Sequence, residues 1–234
     1  MEKSKRKKKL SMVLMIVGSL FLIEVFALIW LVTSIGHFKK YWLEAAKRPG
    51  EITYLALGDS AAQGIGATSP ARGYVGIVAS RLEKKTGKKV RTINVSKSGA
   101  KMEDYLREQA SSARSIPADI VTIEIGANDM VQFNAKTFRS SFRQVLASLP
   151  DGAFVSNMPL FNSRPGRTSA GKEASTIIEE ELAHYPKLHF IDLQKQTTEH
   201  ASIFGFAPDL FHPNNLSYKN WANAFWAQID NQSI

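Results

Sequence analysis

The chain has no cysteine among its 234 residues. That excludes disulfide-stapled scaffolds, thiolate zinc sites, iron–sulfur clusters and cysteine nucleophiles, each of which needs a sulfur. No G-x-G-x-x-G follows the first apolar run, and no Gly-Lys-Ser/Thr closes a phosphate loop, which removes the common dinucleotide and nucleotide sites. The G-x-S-x-G turn of the α/β hydrolases is also missing. There is no internal repeat and no low-complexity tract beyond a basic N-terminal run. Disorder is excluded by composition, since 44% of positions are hydrophobic and a chain of this length holds one ordinary domain plus an appendage.

An excess of one charge is missing from most of the chain as well. The net charge of +9 is concentrated in the first 50 residues, which carry ten basic side chains against three acidic ones. Residues 51–234 hold 20 basic and 18 acidic groups. No basic stripe for a phosphate backbone is indicated there, and nucleic acid is not an expected partner.

Residues 10–36 read LSMVLMIVGSLFLIEVFALIWLVTSIG, apolar on every helical face. About 20 such residues cross roughly 30 Å of hydrocarbon, so this is a transmembrane candidate. The run is longer than the apolar region of a signal peptide and no small-residue cleavage site follows, which predicts an uncleaved signal anchor in a lipid bilayer. Its one charge, Glu24, costs on the order of 3 kcal/mol at a bilayer centre; it is either tolerated among the surrounding Leu, Ile, Val and Phe, or explained by a partner helix or a protonated carboxyl. The basic cluster in residues 1–9 is expected to stay in the cytoplasm, leaving the main domain extracytoplasmic. Trp30, Tyr41 and Trp42 lie toward the far end, suited either to the membrane interface or to ordinary packing. Residues 37–50 read as a polar linker ended by Pro49 and Gly50.

In 51–234, short apolar runs alternate with helical stretches. The pattern predicts strands over 52–57, 90–95, 119–125, 153–157 and 189–193, and helices over 74–86, 102–113, 135–149, 173–184 and 217–229. Strands alternating with helices imply right-handed βαβ units and a doubly wound parallel sheet, with function at the carboxyl ends of the strands.

Four of those ends carry chemistry. The first strand runs into Gly58-Asp59-Ser60, where Ser60 is either an exposed nucleophile or a helix cap. Five histidines are available as a base, and only His212, three residues after Asp209, has a carboxylate positioned to orient it. Asp, His, Pro and Asn also favour turns, so Asp209 to Pro213 can equally be a surface turn. Gly99 offers an amide and Asn128 a carboxamide, each with an alternative reading as turn glycine or cap.

Taken together, GDSAAQG around Ser60, the Gly99 loop, Gly126-Ala127-Asn128-Asp129 and Asp209-Leu210-Phe211-His212 resemble the four blocks of the SGNH, or GDSL-like, hydrolase family, with Ala61 replacing the namesake leucine. The resemblance spans about residues 52–231 and places an SGNH hydrolase-like domain in 51–234. It implies an α/β fold, a three-layer α/β/α flavodoxin-like domain with about five parallel strands, and a serine esterase without metal or organic cofactor. By the same resemblance Ser60 attacks the ester, an oxyanion hole forms from the Ser60 and Gly99 amides and the Asn128 side chain, and His212, oriented by Asp209, moves the proton. Such an enzyme should lose activity on acidification, when the imidazole takes up a proton.

The substrate is left open among lipids, short acyl esters, thioesters and acetylated sugars. Arg164 and Arg167, after the fourth strand, could meet an anionic substrate group or simply form a solvated basic loop. Two other readings compete with hydrolysis: a membrane-tethered acyltransferase on an envelope polymer, and a silent module binding glycan or lipid in the same cleft.

Overall fold

The fold is taken from a computed structural model that describes residues 2–161 and 164–232. Met1, Asn162, Ser163 and the last two residues, which fall in the expected tail, arginine loop and domain, lie outside the described residues. Along the chain come α1 (Glu2–Ala46), β1 (Ile52–Gly58), α2 (Ser60–Gln63), α3 (Tyr74–Thr86), β2 (Val90–Asn94), α4 (Met102–Glu108) and α5 (Ala110–Ser115). They are followed by β3 (Ile120–Glu124), α6 (Ala135–Ala147), β4 (Phe154–Ser156), α7 (Pro165–Leu182), β5 (His189–Ile191), α8 (Leu193–Glu199) and α9 (Asn215–Ile229).

All five strands are parallel, in the order β2-β1-β3-β4-β5. This is the flavodoxin-like order, whose switch point lies between β1 and β3. Side chains alternate along each strand, so successive residues serve opposite faces. Leu55, Leu57, Val121, Ile123 and Val155 pack against α4 to α7. Tyr54, Ala56, Ile120 and Phe154 pack against α3, α8, α9 and the end of α1. The three expected layers are present.

The short helices α2 and α8 were not expected, and α8 takes Leu193 from the end of the strand expected over 189–193; two of the expected helices also differ. The stretch expected as one helix over 102–113 is broken at Gln109, whose side chain is needed elsewhere, as described below. The helix expected over 173–184 begins earlier, at Pro165, where proline's fixed φ and missing N–H suit a first turn.

The larger difference lies before the domain. The polar linker expected over 37–50 is helical as far as Ala46, continuous with the apolar segment. Charged residues hid an amphipathic stripe: Phe38, Trp42 and Ala45 are buried against the domain, while His37, Lys39 and Lys40 face outward. The Trp42 indole donates to the Gln63 carbonyl at 2.9 Å, so Trp42 is a packing residue of the domain and not a membrane-interface ring. Met12 to Trp30 remain outside the core and form the exposed part of the candidate membrane span, Met12–Ala46.

The Trp42→Ala variant should therefore cost the full chain about 3–5 kcal/mol, by emptying the indole site and orphaning a buried carbonyl. Urea denaturation in detergent micelles measures this. A change below about 0.5 kcal/mol, as expected of a surface substitution, would mean that residues 37–46 act as a linker after all.

Candidate active site

Three carboxyl-end loops and the turn before α9 meet beside the switch point. The first is shaped by Gly58, which takes φ +133° and lies so close to β3 that an added Cβ would sit 1.9 Å from the Glu124 carbonyl. Only glycine fits that crossing. Gln109 holds the same peptide from both sides: Gly58 N–H donates to Gln109 Oε1 at 2.9 Å, and Gln109 Nε2 donates to the Gly58 carbonyl at 2.8 Å. The next residue, Asp59, caps α2 by accepting from the Ala61 amide at 2.9 Å. With the cap supplied by Asp59, the Ser60 hydroxyl is free for another partner.

That partner is His212. The Ser60 hydroxyl lies 2.9 Å from His212 Nε2, and His212 Nδ1 lies 2.5 Å from Asp209 Oδ2. The other Asp209 oxygen accepts from the Phe211 and His212 amides, each at 3.0 Å. This compact turn puts Leu210 in the left-handed region at φ 52°, a conformation uncommon for a branched side chain. Burial pushes the Asp209 carboxyl up, but the His212 hydrogen bond and charge, with the two amides, hold it below the ordinary range. An anionic Asp209 fixes the tautomer that leaves Nε2 ready to accept the serine proton.

The Gly99 and Asn128 loops are tied to each other and to the nucleophile turn. Asn128 Nδ2 donates to the Ala100 carbonyl at 3.0 Å and to Asp59 Oδ2 at 3.3 Å. Ser98 donates to Gln63 Oε1 at 2.7 Å. Gly99 itself sits in the left-handed region of this turn. Arg164 donates to the Asp209 carbonyl at 2.8 Å, and the Arg164 and Arg167 guanidinia lie 5.9 and 4.8 Å from the Phe211 ring centroid. Both arginines thus border the site, holding the Asp209 turn and the Phe211 ring. An apolar cleft runs from Ser60 and His212 past Leu160, Phe161, Phe206, Phe211 and Trp221.

Sequence reasoning missed Glu124, a residue inside a strand pattern with no motif to mark it. Its side chain is fully buried beside Asp59, and among the described residues neither carboxyl oxygen has an aligned hydrogen-bond partner. Burial, then the Asp59 charge, pushes the Glu124 carboxyl well above the usual range. Burial also raises Asp59, to about 6. Two acids this close and this dry hold at least one proton between them. Gln109 and Gln63 were missed as well, since an amide side chain in a helical pattern carries no sequence signature.

The family model of the GDSL-like Lipase/Acylhydrolase family matches residues 56–219. No curated protein matches at a significant level. Among solved structures, a lipase/acylhydrolase from Enterococcus faecalis is 24% identical with TM-score 0.64, covering 76% of this chain and 95% of its own. Axe2, an acetylxylan esterase from Geobacillus stearothermophilus, is 18% identical with TM-score 0.60, covering 78% and 95%. LAE5, an alpha/beta hydrolase enzyme from the metagenome of Lake Arreo, is 16% identical with TM-score 0.65, covering 81% and 100%. At these identities the structures speak for the fold, while the family match speaks for the chemistry. The chain belongs to the GDSL-like lipase/acylhydrolase family and is by class an ester hydrolase.

Two expectations follow from the site's electrostatics and packing. Asp59 and Asp129, the latter also raised by burial to about 6, bind protons more tightly folded than unfolded. Stability should therefore decline as pH rises from 3.8 to about 6, since the folded state holds the extra protons in that window. Urea denaturation across this range should show a smaller decline for Asp59→Asn; an unchanged slope would place the proton elsewhere. Second, a Cβ at Gly66, where φ is +96°, would meet the Pro213 carbonyl at 2.3 Å and His212 Cβ at 2.9 Å. Gly66→Ala should cost about 1–3 kcal/mol and lower esterase activity by displacing His212; parental activity and melting temperature would contradict this.

Proposed function

We propose that the chain is a membrane-tethered serine esterase acting through an acyl-enzyme on Ser60. The observation that carries the proposal is the hydrogen-bond series from Ser60 through His212 to Asp209. Ser60 Oγ attacks the acyl carbonyl as its proton passes to His212 Nε2, and the imidazolium is stabilised by Asp209. His212 then protonates the departing alkoxide. Water, deprotonated by the same nitrogen, attacks the acyl-enzyme, releases the acid and restores Ser60.

The oxyanion is assigned to the Ser60 and Gly99 amides and Asn128 Nδ2. In the ester-free site both Asn128 N–H groups already have acceptors, and the longer contact, to Asp59, is the one to be exchanged for the oxyanion. The apolar cleft suits the acyl chain, and Arg164 and Arg167 border the mouth where an anionic group could sit. Residues 10–36 serve as the anchor and 51–234 as the hydrolase domain, with the docked helical segment 37–46 between them. The basic residues 1–9 are placed in the cytoplasm and the domain outside it.

The test is hydrolysis of p-nitrophenyl acetate by the full chain in detergent. Ser60→Ala and His212→Ala should each lose at least about 10³-fold in kcat, and Asn128→Ala about 10²–10³-fold. Parental rates in Ser60→Ala would overturn the acyl-enzyme reading.

A further inference from the structure

The course of α1 relative to the sheet decides which side of the domain faces the membrane. Five residues join Ala46 to β1, so α1 ends near the edge from which β1 departs. From there, counting back along the helix, its turns pack on the segment just after Ser60, at the carboxyl end of β1. Trp42 bonds the carbonyl of Gln63 in the nucleophile turn. Phe38 packs on Gly64. Leu31 and Phe38 share a buried cluster with Ile65 and Ala207. The rise from Ala46 to Leu31 is about 22 Å at 1.5 Å per residue, close to the length of β1, which is about 23 Å for seven residues. The helix thus leaves the domain at the edge that holds Ser60 and His212, and the exposed part of the candidate span begins there.

The loop at that exit is apolar and uncovered. Ala207, against which α1 packs, donates its amide to the His212 carbonyl at 2.8 Å. On the same loop Ile203 and Phe204 are 78% and 77% exposed, and Leu210 is 57% exposed. Phe206 and Ser202 of this loop line the cleft that leads to Ser60. Large apolar side chains standing in water at the mouth of an apolar cleft, beside the start of an apolar helix, form one continuous surface suited to a membrane boundary.

We propose that the catalytic edge lies against the bilayer spanned by α1, with Ile203, Phe204 and Leu210 seated in the headgroup–acyl boundary, and that the ester hydrolysed at Ser60 is a membrane amphiphile whose acyl chain enters the cleft from that surface. The proposal rests on α1 remaining in the membrane as an anchor. His37, Lys39 and Lys40, on the outward side of α1 just past Leu31, are then placed among headgroups, where basic side chains are favoured.

Because the chain has no cysteine, single labels can be introduced without other changes. Full-length Ile16→Cys, Phe204→Cys and Lys88→Cys, each carrying an environment-sensitive dye, would be reconstituted into vesicles of equal parts phosphatidylcholine and phosphatidylglycerol with brominated acyl chains. Quenching at 16 and 204 but not at 88 is expected. Quenching at 16 with none at 204 overturns the membrane-facing edge while leaving the anchor standing, and no quenching at 16 removes the anchor and the proposal together. For the substrate, Ile203→Ser/Phe204→Ser should reduce release of a fluorogenic fatty acid from a phospholipid in those vesicles by about tenfold or more, through lost insertion. Hydrolysis of water-soluble p-nitrophenyl acetate should stay at the parental rate. An equal change in both rates, or in neither, would overturn the membrane supply of substrate, as would a parent that cleaves the soluble ester and leaves the phospholipid intact.

Discussion

The contact between Ser60 and His212 joins residues 152 apart in the chain, and the catalytic edge is organised around keeping them together. A hydrogen bond at this separation is maintained by the packing around it, since its own net contribution is only about 1 kcal/mol. Here the turn before α9 is clamped onto the nucleophile loop at several points. The Tyr218 hydroxyl donates to the Ile65 carbonyl at 2.6 Å, and the Thr68 amide donates to Asn215 Oδ1 at 2.9 Å. Tyr74 stacks on Phe225 with centroids 4.7 Å apart, joining α3 to α9 beneath the same loops.

Directly under the turn that carries Ser60 the structure accepts an electrostatic cost. Glu124 and Asp59 are buried side by side in a layer that includes Tyr74 and the Tyr54–Thr122 hydrogen bond. A pair of anions there would be untenable, so the pair holds a proton and becomes a neutral or singly charged support. This links the acidity of the core to the turn that carries Ser60 and to the amide of Asn128. Buried polar groups beside a reacting centre are a common place for a fold to give up stability for function.

Helix α1 connects these features to the membrane reading. Its last turns belong to the domain, filling space beside α3 and supporting Gln63, while its first turns are apolar and outside the core. One continuous helix therefore joins the exposed apolar segment to the brace of the turn that carries Ser60.

Much of this was legible in the chain. Apolar runs alternating with helical stretches pointed to all five strands: β1, β3 and β4 are buried along their length and so mostly apolar, while the half-buried edge strands β2 and β5 carry shorter apolar signals. Ser60, Asp209 and His212 could be singled out because their residue types carry the chemistry and their neighbours are unusual. The apolar run of residues 10–36 announced itself by length. Residues 37–46 were misread because their charges concealed a narrow stripe of Phe38, Trp42 and Ala45, and a stripe has meaning only once something is packed against it. Glu124, Gln109 and Gln63 were invisible for a related reason. The sequence by itself determined the order of the strands and main helices and singled out the candidate reactive groups, which depend on local pattern and side-chain chemistry. The tertiary structure decided which buried carboxyls lie side by side and which amides hold the turn that carries Ser60, because those depend on distances between residues far apart in the chain.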